Sequence, residues 1–83
     1  MFYSEQLRAA RSLLGWNQNE LARQSKVGIA TIRRIEGQKG PVHAISETVW
    51  RLQGCLEQAG IEFIDADGEK GPGVRLAHPI LDT

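Results

Sequence analysis

Cysteine is almost missing from this chain: Cys55 stands alone, so no internal disulfide can staple the fold, as happens in many small secreted domains. A lone thiol without a helper base reads as a small hydrophobe in a reducing compartment. Long apolar runs are missing too. None approaches the roughly 18 residues that a membrane-spanning helix needs, and the first residues lack the basic and apolar regions of an export signal. The expectation is a cytoplasmic protein with no membrane partner. Histidine is scarce: His43 and His78 have neither a paired nucleophile nor a second ligand at usable spacing. Catalytic and metal constellations are thereby excluded, and we expect no enzyme, no cofactor and no metal.

Two segments imitate chemistry without completing it. Asp65-Ala66-Asp67-Gly68-Glu69 resembles a piece of a calcium loop but lacks the third early ligand and the distant glutamate, so it reads as a turn. Gly68 to Gly73 is glycine-rich yet has neither the Gly-Lys-Ser/Thr ending nor a following helix that a phosphate loop requires.

Net charge is missing as well, since ten Lys and Arg balance ten Asp and Glu over 83 residues. The balance is uneven along the chain. Residues 1–45 carry seven basic and three acidic side chains, or +4, and residues 46–83 carry three and seven, or −4. A basic half can face phosphates while an acidic half is turned away from them. At this length a single domain buries only roughly 60–65% of its unfolded surface, so its stability is modest and a second copy would help.

Apolar spacing predicts a first helix over residues 4–14, with Ser4 as N-cap, Leu7, Ala10 and Leu14 inward, and Gly15 as its stop. Asn17 and Glu20 form a capping-box pattern for a second helix, with Trp16 and Leu21 at staple spacing and Trp16 in the core. Lys26-Val27-Gly28 is a turn in which Val27 plugs the core and Gly28 caps a third helix, where Ser or Thr would cap better. In that helix Ile32 and Ile35 must face inward, which leaves Ile29, Ala30, Arg33, Arg34 and Gly37 outside.

Taken alone, Arg33 and Arg34 read as solvated charge. With the preceding helix and turn they complete a helix-turn-helix over Trp16 to Gly37, the motif that sets a helix in the major groove, where arginine grips guanine and small apolar groups touch thymine methyls. Residues 37–45 form a loop in which Lys39 and His43 can meet phosphate. A longer helix from Ser46 to about Ala59 carries Val49, Leu52, Leu56 and Ala59 as its stripe, Ser46 as cap, Ile45 and Trp50 as a staple, and Gly54 as a hint of close packing. The period then changes: residues 61–65 and 74–77 alternate as strands, giving a β-hairpin that must lie on the helices or pair with another chain.

The strings N-Q-x-E-L-A-x-x-S-x-V and T-I-R-R-I-E-G resemble the Xre-type helix-turn-helix family of phage repressors, Cro proteins and small bacterial regulators. The likeness runs over residues 7–60. It implies a mainly α fold, a lambda-repressor-like bundle of about four helices in residues 1–60. The hairpin and tail of residues 61–83, marginal on their own, are expected to be the dimerisation element of the same domain. It also implies operator binding as a homodimer on double-stranded DNA. Gln18 would hold a phosphate, with Thr31, Lys39 and His43 as further phosphate contacts. Ile29, Ala30, Arg33 and Arg34 would meet base edges, and Arg11 would pair with Glu36 in a structural ion pair. Gly28, in place of the family's Ser or Thr, and the hairpin, in place of a fifth helix, depart from the phage pattern. Two other readings remain: an antitoxin that also represses its own operon and binds a toxin, and a protein-interaction module that keeps the fold without binding DNA.

Overall fold

Four helices and a hairpin follow one another without crossovers in the computed structural model, which describes residues 2–79. Helix α1 spans Ser4–Leu14, α2 Gln18–Ser25, α3 Ile29–Glu36 and α4 Ser46–Gln58. Strands β1 (Ile61–Ile64) and β2 (Gly73–Leu76) pair antiparallel, with Ile61 opposite Leu76 and Phe63 opposite Val74. The fold is mainly α with a C-terminal hairpin. The tail beyond residue 79 of the expected hairpin unit lies outside the described residues.

Each helix is delimited by local chemistry. Gly15, at φ 69°, closes α1 in the left-handed conformation that glycine adopts at little steric cost. Asn17 caps α2 by accepting the Glu20 N–H at 2.8 Å. The capping box is only half made, because the Glu20 carboxylate turns to Gln24 and Arg23 on its own helix. Lys26 closes α2 at φ 60°, an unusual conformation for a residue with a Cβ.

Two caps differ from expectation. Tyr3, not Ser4, is the N-cap of α1; its N–H is taken by the Gln6 side chain at 2.7 Å. Ser4 is already helical and fully buried, with its hydroxyl spent on another element. In α4 the cap is Ile45, which has no capping oxygen, and Ser46 is the first helical residue.

The core is one cluster built from Leu7 and Ala10 of α1, Leu21 of α2, Ile32 and Ile35 of α3, and Leu52 and Leu56 of α4, completed by Phe2, Val27, Val42 and Ile61. Leu14, Trp16, Val49, Phe63, Val74 and Leu76 pack half-buried around it. The hairpin lies on its own chain, β1 beside α4 and β2 beside α1. Phe63 meets Phe2 edge to face at 5.6 Å between centroids. Gln6, buried in α1, donates to the carbonyls of Ile64 at 3.1 Å and Gly73 at 2.8 Å, so one amide clamps both strands at the loop end of the ladder. Two strands are marginal in water, and this apolar and polar docking is what stabilises them. In the connecting loop, the Asp67 carboxylate accepts the N–H groups of Glu69 and Lys70, both at 2.7 Å, which makes the calcium-like string a turn.

Candidate nucleic-acid interface

Helix α3 has an inward side of Ile32, Ile35 and Glu36, all buried. Advancing about 100° per residue sets Ala30 and Arg34 opposite Ile32, with Arg33 and Thr31 on the two flanks. Ala30, Arg33 and Arg34 are exposed, while Thr31 and Ile29 are half-buried. Ile29 therefore covers part of the core and offers only an edge outward. Gly28 is the N-cap but contributes no side-chain acceptor.

The inward side is anchored by polar contacts as well as by packing. Arg11 donates from Nε and Nη2 to the two oxygens of Glu36 at 2.7 and 2.8 Å, and from Nη1 to the Trp16 carbonyl at 2.9 Å. Gln18 adds a bond to Glu36 at 3.0 Å. One carboxylate thus ties α1, the start of α2 and the end of α3 together. Burial works against the charged form of Glu36, but the hydrogen bonds from Arg11 and Gln18 and the nearby guanidinium charges outweigh it, holding the carboxyl below its ordinary range. A planar guanidinium against a carboxylate fixes orientation as well as distance.

Two further clamps were not foreseen from the sequence. The Ser4 hydroxyl donates to the Ile35 carbonyl at 2.9 Å, and Arg8 Nη1 donates to the carbonyls of Glu36 and Gln38. Both satisfy acceptors that the end of α3 leaves without intrahelical partners, and a cation there also complements the helix dipole. The only available signal was the spacing of Ser4, Arg8 and Arg11 on one face of α1.

The expected phosphate contacts scatter around this helix. Gln18 stands at the first position of α2 with one amide hydrogen committed to Glu36, which leaves its second hydrogen and the free first-turn N–H groups of α2 for an anion. Lys39 and His43 are exposed in the loop after α3. That loop is held to the N-terminal segment: Ser4 N–H donates to the Gly40 carbonyl and Val42 N–H to the Phe2 carbonyl, each at 2.9 Å. Glu5 accepts the Gly40 N–H at 3.1 Å.

No protein-family model matches the chain, and no curated protein matches it. The weight therefore rests on how its cations are used. Of the seven arginines, Arg8 and Arg11 serve the core, while Arg23, Arg51 and Arg75 pair with Glu20, Glu47 and Glu62. Among the described residues, Arg33 and Arg34 are the two arginines whose side chains donate to nothing in the chain. The sole carboxylate of their helix is buried and engaged from behind. Their outward face can therefore offer complete guanidinium forks to a planar, electron-rich acceptor.

Proposed function

We propose that the chain is a sequence-specific double-stranded DNA-binding regulator of the Xre-type helix-turn-helix class, cytoplasmic and nucleoid-associated, acting as a homodimer with α3 in the major groove. The observation that carries the reading is the pair of unpartnered arginines on α3, next to Ala30, on a helix whose back is fastened by Arg11, Glu36, Ser4 and Arg8. Arg34, at the centre of the outward face, reads a base bidentately. Arg33 and Thr31 on the flanks reach the groove walls, and Ile29 supplies an apolar edge. Gln18, Lys39 and His43 contact phosphates and set the register. The lambda-repressor-like arrangement of the bundle belongs to the same proposal.

Two such helices bound to an inverted repeat would lie about 34 Å apart, one turn of the duplex. Fluorescence anisotropy with sequences selected from a random duplex pool provides the test. Arg34→Ala is expected to lower specific affinity by roughly 10- to 100-fold and to relax preference at one base position. Affinity should fall steeply with salt. Specific affinity unchanged in both Arg33→Ala and Arg34→Ala, or binding insensitive to salt, would rule the reading out.

A further inference from the structure

The spacing of Ile45 and Trp50 predicts a hydrophobic staple at the start of α4, yet both side chains lie in solvent, Ile45 at 71% and Trp50 at 80% exposure. The loop between α3 and α4 is fastened instead by the N-terminal turn of α1. Gly40, at φ 81°, is left-handed, as glycine can be at little steric cost. Its carbonyl accepts the Ser4 N–H at 2.9 Å, and its N–H donates to the Glu5 carboxylate at 3.1 Å. Pro41 then bridges to Tyr3, and the Val42 N–H donates to the Phe2 carbonyl. On the other side of Lys39, the Gln38 carbonyl accepts from Arg8 at 3.2 Å, and the Gln38 N–H donates to the Ile35 carbonyl. Lys39 thus sits between two fixed neighbours. Its side chain is exposed, and neither its N–H nor its ammonium meets an acceptor among the described residues. Every other N–H from Gly37 to Val42 has one. Hydrogen bonds from its own N–H and from Gly40, then the charges of Arg8 and Lys39, hold the Glu5 carboxyl below its ordinary range, so it accepts as an anion.

We propose that Glu5 is a positioning residue for DNA binding: by taking up the Gly40 N–H it holds the loop in the conformation that presents the Lys39 N–H and ammonium to one phosphate of the duplex. The role rests on the DNA-binding reading and adds to it a side chain that touches no nucleotide. An unfastened loop rich in glycine loses its freedom on binding, whereas a loop already fixed at Gln38 and Gly40 loses little beyond the motion of the Lys39 side chain. Two unused donors on one residue suit a phosphate, which accepts from backbone N–H groups as readily as from ammonium. Charge alone argues the other way. An exposed carboxylate beside a phosphate contact repels the duplex, so Glu5 weakens binding unless the bond it accepts matters more. That opposition of sign makes the role measurable.

Glu5→Gln and Glu5→Ala remove the same charge, but only the amide oxygen of glutamine can still accept the Gly40 N–H. Fluorescence anisotropy of the full chain with a single half-site duplex, taken from the selected sequences, compares them over a range of salt. The glutamine variant should bind at least as tightly as the wild type. The alanine variant should bind roughly 3- to 10-fold more weakly than the glutamine variant, with a salt slope shallower by about 0.9, the share of one phosphate. A phosphate contact carries no sequence information, so the same loss should appear on a scrambled duplex. In a Lys39→Ala background the two Glu5 variants should bind alike. Glu5 is exposed, and circular dichroism checks that each variant folds. Alanine and glutamine variants of equal affinity and slope, both tighter than the wild type, would mean that Glu5 acts by charge alone and overturn the proposal. So would a difference between them that persists without Lys39. A wild type that shows no salt-dependent binding to any duplex overturns the DNA reading and this role together, whereas a wild type that binds, with variants that bind alike, overturns this role only.

Discussion

Helices α3 and α4 both turn toward solvent a face that solvation alone does not explain, and they do so in opposite ways. On α3 the exposed residues are cationic and unpaired, while the one acid is buried and locked from behind. On α4 the charges are shared, Arg51 with Glu47 at 2.7 Å, and what lacks a partner is apolar, an exposed indole beside an open glycine. A surface short of negative charge suits a polyanion, whereas the outer side of α4 mixes both signs and leaves aromatic area uncovered. The two faces thus differ in which property is left uncompensated.

The comparison can be broken most forcefully at the lock behind α3. Glu36→Ala leaves the Arg11 guanidinium without its acceptor and is expected to destabilise the fold by about 2–4 kcal/mol in urea unfolding, at the lower side of buried pairs because Arg11 reaches water. The same carboxylate sets an acid limb. Its folded-state pKa lies below the ordinary 4.5, so its stabilisation is complete above that value and is lost as pH falls through the lower, folded one. Glu36→Gln should flatten the fall in melting temperature on acidification. Glu5, Glu20 and Asp67 are shifted in the same direction and keep part of the slope.

The outward face of α3 comes next. Arg34→Ala is expected to cost roughly 1–3 kcal/mol in half-site binding, while Trp50→Ala, on α4, should leave that binding unchanged. If both variants weaken half-site binding equally, the two faces are not independent. Smaller in size is Gly54→Ala, which has open space for its methyl group and should raise stability by about 1 kcal/mol through helix propensity alone, read as a higher melting temperature. The smallest effect is at the start of α3: Gly28→Ser has open space for its hydroxyl and should add a few tenths of a kcal/mol as a better N-cap, measurable by denaturant titration.

Local order was legible wherever neighbours in sequence decide it. Gly15 ends α1, Asn17 caps α2, Ile32 and Ile35 turn inward, and the alternation after Gly60 forms a hairpin. The Arg11 and Glu36 partnership entered through family resemblance, since nothing in its 25-residue separation announces it. Ser4 and Ser46 show the limit of capping rules: a serine before an apolar stripe can cap, but a tighter use of its hydroxyl elsewhere, as Ser4 finds on Ile35, overrides the local preference. Gln6, an ordinary polar residue by spacing, became the clamp of the hairpin because β1 and β2 end above it.

Sequence by itself determined the element types, most of their limits, the inward stripe of each helix and the exposure of Arg33 and Arg34, because hydrophobic period and turn chemistry act over a few residues. Only the tertiary structure decided which polar side chains bridge elements, that the hairpin docks on its own helices, and that Trp50 is left uncovered. Those outcomes depend on which surfaces the packed elements happen to cover, and covering is a property of the assembled core that no short window of residues contains.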